Sequence, residues 1–174
     1  VPKLLEMLDI KGCIVSSDAM NCQIKTAQKI LDKEADYLLA LKGNQEYLEE
    51  RVIEQFDLLA RKGPKSVVVD SFTVRDDAHG RLEKRVCRTI QAKDKNILAV
   101  NPLNKWPKLK SLIEICAERV DKKTGVVSSE KRYYISSSTG SAEEMLNAVR
   151  GHWEVENKLH WILDVVFRED DFRN

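Results

Sequence analysis

CIVSSDAMNCQIKTAQKILDKEADYLLALKGNQ, residues 13–45, is the stretch whose reading decides the fold class. The apolar run Cys13–Val15 breaks abruptly into Ser16, Ser17 and Asp18. That pattern predicts a buried strand with an aspartate at its carboxyl end. From Gln23 to Ala35, Ile24, Ala27, Ile30 and Leu31 share one helical face and the lysines lie elsewhere, predicting an amphipathic helix. Asp36–Gln45 then reads as a second buried strand stopped by Gly43 and Asn44. Strand, helix and strand in this order form a βαβ unit, which implies a parallel pair with a right-handed crossover.

Working outward, PKLLEMLD (2–9) has leucines at helical spacing, and a long helix is expected from Asn44 to Lys62, ended by Gly63-Pro64. The chain then changes character. SVVVDSFTV (66–74), RLEKRVCRTI (81–90), SLIEICAERV (111–120) and KRYYISS (131–137) are β-rich runs separated by turn signals such as DDAHG and DKKTG. They predict antiparallel hairpins. Ser141 with Glu144 forms a capping box opening a helix whose apolar positions, from Leu146 through Val149 and Trp153 to Val166, keep helical spacing. The organisation expected is residues 1–62 as the first part of an α/β core, 63–138 as a β-rich insertion, and 139–174 as the closing helix of the core.

With 43% hydrophobic and 33% charged residues, the composition is that of a globular protein. No apolar run reaches the length of a bilayer span, and the opening residues lack the layout of a secretory signal. Cys13, Cys22, Cys87 and Cys116 form no CxxC pair, which argues against a zinc ribbon or disulfide framework and for a reducing, cytoplasmic setting. A net charge of +1 is low for a dedicated DNA-binding module, although only the local face of a protein decides what it binds.

Two places carry chemistry. Asp18, at the exit of a parallel strand, stands where α/β sheets place ligands; it reads either as a metal-binding carboxylate or as a turn-capping aspartate. In RGHWEVENKLHWILDVVF (150–167), His152, Glu156, His160 and Asp164 follow at four-residue intervals on one helix face. That face reads as a site or as ordinary helix packing, and the His–Glu–His set also admits a zinc-hydrolase reading. Trp106 is open to base stacking or to a place in a core.

VSSDAMNCQ, DYLLALKGNQ, HGRLEKR, YYISSS and RGHWEVENKLHWILDVVFREDDFR together resemble the H-repeat-associated proteins, insertion-sequence transposases of the ISAs type in the DDE superfamily. The resemblance runs over essentially the whole chain. It implies an α/β ribonuclease-H-like core with an antiparallel insertion before the helix that carries the catalytic glutamate. It matches the second catalytic aspartate to Asp18 and the catalytic glutamate to Glu156, with Glu154 a rival because Arg150 precedes it at the family spacing. It further implies two Mg²⁺ or Mn²⁺ ions in the complete enzyme, and transposon terminal repeats and target DNA as partners. It leaves open a homodimer on DNA, and the lack of a long apolar run gives no membrane partner.

Lys42, Arg81, Arg150, His152 and His160 are the expected DNA contacts, with Arg75 and Arg85 near the HGR turn as further candidates; each of the lysine and arginine side chains reads equally as a solvated surface charge. The chain departs from the family pattern in having His152, Asn157 and His160 around the glutamate and no lysine further along. Nothing before Asp18 matches the first catalytic aspartate, since Asp9 ends a helix. The expectation is therefore a partial transposase, its first core strands missing, that is inactive as an isolated chain. The rival reading is a DNA-binding remnant that no longer catalyses.

Overall fold

The computed structural model describes residues 2–62, 68–78, 80–91 and 101–154. The apolar run after Gly12 forms β1 (Ile14–Ser17), the amphipathic segment forms α2 (Ile24–Asp32), and DYLLAL forms β2 (Asp36–Leu41). The two strands pair in parallel, with Ile14 opposite Asp36 and Ser17 opposite Leu39. A short helix α1 (Pro2–Met7) precedes them and α3 (Glu46–Lys62) follows. The βαβ unit read from the sequence is present.

The β-rich stretch supplies β3 (Val68–Ala78), β4 (Arg81–Gln91), β5 (Ser111–Asp121) and β6 (Val127–Ser136). These strands do not form a separate sheet. Strand β6 runs antiparallel to β2, giving one six-stranded sheet in the order β1-β2-β6-β5-β4-β3. Serines following the tyrosines of β6 lock that join. The Ser136 hydroxyl donates to the Tyr37 carbonyl at 2.7 Å, and Ser137 Oγ accepts from the Tyr37 N–H at 3.0 Å while donating to Asp36 at 2.6 Å. The fold is mixed α/β, as expected. One expectation changes: β1 is an edge strand only half buried, because only β2 pairs with it among the described residues.

Alternation along the strands splits the core into two layers. Tyr37, Leu39 and Leu41 face α1, α2, α3 and the 101–110 loop, where Trp106 is packed in the core beside Tyr37. Leu38, Ala40, Tyr134, Ile113 and Ile115 face the other way, against Met145, Leu146 and Val149 of α4 (Ala142–Glu154). The capping box opens α4 as predicted. Ser141 Oγ accepts from the Glu144 N–H at 3.2 Å and Glu144 accepts from the Ser141 N–H at 2.7 Å. Asp70 of β3 adds a third bond, accepting the Ala142 N–H at 2.7 Å, and so ties the helix start to the far edge of the sheet. Anchored there, α4 runs across the sheet and its last turn meets the end of β1.

Candidate active site

Asp18 follows β1 directly, with extended backbone angles, and begins a 3-10 turn over Ala19–Asn21. Its carboxylate makes no capping bond to that turn. Instead Oδ1 lies 3.0 Å from Nε2 of His152, 134 residues away on the last turn of α4. The other ring nitrogen, Nδ1, lies 3.4 Å from the Ser16 hydroxyl. An ionised carboxylate only accepts, so Nε2 carries the proton facing Asp18; in the neutral ring Nδ1 then accepts from Ser16.

Two side chains after β2 hold the turn that presents Asp18. The Asn44 amide donates to the Ala19 carbonyl, and the Gln45 amide donates to the Cys22 carbonyl at 2.9 Å. In the sequence, Gly43 and Asn44 read only as a strand stop. An amide pair placed one strand over from a site aspartate is the signal that would have found this role.

Asp18 and Lys42 line a common cleft of about 620 Å³ whose far wall is Glu130, Arg132, Tyr134 and Trp153. That wall also bounds a second hollow of about 290 Å³, into which Arg85, Arg119 and Arg150 are gathered. Arg132 lies over the Trp153 ring at 4.4 Å and bonds Glu130 through two nitrogens at 2.8 and 3.2 Å. The hydrogen bond from Arg132 holds the Glu130 carboxyl below the ordinary carboxylate range, and burial opposes it only partly. Burial pulls Arg132 downward, but Glu130 and Tyr134 together more than compensate, and its guanidinium is held above the usual value. Burial likewise pushes the Tyr134 hydroxyl up. Sequence does not single out Arg119 and Arg132, because a strand arginine looks the same whether or not neighbouring strands bring partners to it.

Of the other expected site residues, Arg150 reaches Asp76 at 3.5 Å, and Glu154 is exposed at the end of α4. Arg81 is not brought near Asp18. Register carries the Leu41 row through Tyr133 and Glu114 to Arg88, and Arg81 lies seven residues further along β4. At about 3.3 Å per residue, that is roughly 23 Å along the strand. Glu156, His160 and Asp164 lie outside the described residues. Among the described residues, no group of three His, Cys, Asp or Glu side chains is placed to hold a metal ion. One carboxylate bonded to one imidazole does not by itself fit a divalent cation. No described helix is long and apolar enough to cross a membrane.

Compared with known proteins, the family model described as "Transposase DDE domain" matches residues 1–173. The chain is 40% identical over 178 residues to "Putative protein YbfL" of Escherichia coli K12, covering 98% of this chain and 44% of that protein. It is 39% identical over 178 residues to "H repeat-associated putative transposase YhhI" of the same strain, with the same 98% and 44% coverage. To "Putative transposase YncI" of Escherichia coli O157:H7 it is 39% identical over 182 residues, covering 99% of this chain and 43% of that protein. The chain thus spans about 44% of the length of the first two of these relatives. No solved structure matches it.

Proposed function

The chain belongs to the transposase DDE domain family, and from that premise we propose that it contributes Asp18 and Glu156 to the DNA-cutting centre of a transposase with a ribonuclease-H-like core. The domain reading that goes with this takes 1–62 and 139–174 as core and 63–138 as the insertion. Cutting a transposon end and joining it to target DNA are both in-line phosphoryl transfers, so one centre serves both. Mg²⁺ or Mn²⁺, the family's implied pair of ions, would lower the pKa of a nucleophile and neutralise charge on the leaving oxygen. The described residues do not complete a site for such ions; Glu156 would give Asp18 a second carboxylate with which to hold one ion, and the pair of ions would need a third carboxylate, which these residues do not match. Hence the isolated chain is proposed to be inactive in cleavage. Lys42, Arg150, His152 and His160 would contact DNA beside Asp18, with Arg81 at the outer end of the hairpins, and a homodimer would assemble on the DNA.

The observation that carries this reading is the Asp18–His152 contact. It puts the end of β1 and the helix that leads into HWEVEN at one end of the sheet, although they are far apart in sequence. Among the described residues only β2 pairs with β1, and this supports the reading too, since its other edge would accept a further core strand.

Iron-directed backbone cleavage tests the reading on this chain. Fe²⁺ with ascorbate and peroxide should nick the chain around residues 18 and 156, and Asp18→Asn should abolish both nicks. Nicks elsewhere only, or nicks indifferent to Asp18→Asn, would remove the metal-site assignment. In that case DNA binding without nicking would leave the non-catalytic remnant. Robust Mg²⁺-dependent DNA cleavage by the isolated chain, abolished in Asp18→Ala, would overturn the proposed inactivity.

A further inference from the structure

On the face of the sheet that α4 covers, beyond its apolar core, charged groups alternate in an unbroken chain. Arg150 meets Asp76 at 3.5 Å, Asp76 meets Arg85 at 3.0 Å, and Arg85 meets Glu83 at 2.6 Å. Glu83 then meets Arg119 at 2.8 Å, Arg119 meets Glu130 at 3.8 Å, and Glu130 meets Arg132 at 2.8 Å. The chain crosses β3, β4, β5 and β6 and ends on α4. It has arginine at both ends, so four guanidiniums share three carboxylates.

Each carboxylate in the chain is divided between two arginines, whereas each guanidinium has five N–H donors. Donor capacity therefore exceeds what the carboxylates use. The four guanidiniums also line one hollow together with Glu130 and Glu154, and its apolar floor includes Ile115, Leu146 and Val149. Stacking on Trp153 and pairing with Glu130 fix the plane of Arg132, so little side-chain freedom remains to be lost when a ligand binds. Phosphate oxygens match such a fork geometry bidentately, and the wall of Arg132 and Trp153 is shared with the Asp18 cleft.

We propose that this arginine chain is a seat for DNA backbone phosphates flanking the strand that lies in the Asp18 cleft. This rests on the transposase reading and extends it to Arg119 and Arg132. The phosphates enter as additional bridging anions between arginines that are already in place. Acidic groups within the chain act as spacers that keep the guanidiniums apart when no DNA is bound, and they compete with phosphate when it is.

The test is fluorescence anisotropy of the purified chain with a labelled duplex of about 25 base pairs and arbitrary sequence, titrated between about 50 and 200 mM salt. Arg119→Gln/Arg132→Gln should weaken binding about ten- to hundredfold at the low-salt end and lower the salt slope by about 2. Lys123→Gln, in the exposed turn between β5 and β6, should change affinity less than about threefold. Glu130→Gln should tighten binding severalfold, because it removes the competing anion; a purely structural network predicts loss of stability with no gain in affinity. Thermal melting of every variant separates unfolding from lost contacts.

Arginine variants that melt like wild type and bind DNA as it does would overturn the proposal, as would a wild-type chain that binds no duplex. Tightening absent in a folded Glu130→Gln would count equally against it. These outcomes are independent of the iron-cleavage result. Loss of the nicks with arginine-dependent binding intact removes the catalytic reading alone, and the converse removes only the phosphate seat.

Discussion

Arg88→Met should destabilise the chain far more than a surface arginine would. Glu114 on β5 is only 1% exposed, inside the layer that α3 covers, and Arg88 is its register partner on β4. Arg88 Nε donates to Glu114 Oε1 at 2.8 Å and a second guanidinium nitrogen donates to the same oxygen. The Tyr133 hydroxyl donates to Oε2 at 3.3 Å, the Cys116 thiol donates to Oε1 at 3.4 Å, and Lys131 stands 3.9 Å off.

Removing the main counter-charge of a buried carboxylate costs about 3–5 kcal/mol. Arg88 is itself 31% exposed and Lys131 stays, so the lower end, about 3 kcal/mol, is expected. In a chain of this size that corresponds to a loss of about 6–12 °C in Tm. The double variant Arg88→Met/Glu114→Met removes the stranded charge and should recover to within about 1–2 kcal/mol of wild type. Urea unfolding followed by circular dichroism measures all three. An Arg88→Met protein within about 0.5 kcal/mol of wild type would show that Glu114 does not depend on this pair. A double variant less stable than Arg88→Met would show that charge burial is not the cause.

Ser141→Ala breaks half of the capping box of α4 and should cost about 1 kcal/mol, read by the same unfolding curves. His152→Ala should change stability by at most about 1 kcal/mol, because Asp18 is half exposed; a larger loss would make the contact a structural clasp rather than a site feature. Burial pushes the Cys22 and Cys87 thiols up to about 12. Their folded values exceed the unfolded ones, so the stability they carry is complete below about pH 8.5 and is lost as pH rises toward 12. Urea midpoints should accordingly fall between about pH 8 and pH 10.5, and a flat profile there would contradict the burial of these thiols. In the native chain a thiol reagent should modify exposed Cys13 quickly and reach Cys22 and Cys87 only on unfolding.

Local patterns make much of this protein legible in its sequence. The abrupt apolar-to-polar break at Ser16 placed Asp18 at a strand exit, the 3.6-residue spacing of Ala27, Ile30 and Leu31 produced α2, and Ser141 with Glu144 marked the start of α4. Each is a short-range consequence of side-chain periodicity or of a backbone N–H needing an acceptor, so sequence neighbours suffice to specify it. The motif HWEVEN could also be matched by residue order alone, whereas the position of its glutamate lies outside the described residues.

Tertiary structure decided what depends on groups distant in sequence. Nothing in the β-rich stretch shows that β6 will pair with β2, because that join is made by Ser136 and Ser137 reaching the backbone and side chains of residues about 100 positions earlier. Nor does any local pattern separate Arg119 and Arg132, which meet carboxylates on neighbouring strands, from a solvated Lys123. Asp18 itself shows the division most clearly. Sequence set it at the end of β1, with capping and site roles both open. Only the path of α4 across the sheet turned its carboxylate from its own turn to His152, because a helix fixed at Asp70 and packed on Ile113 and Tyr134 can deliver its last turn nowhere else.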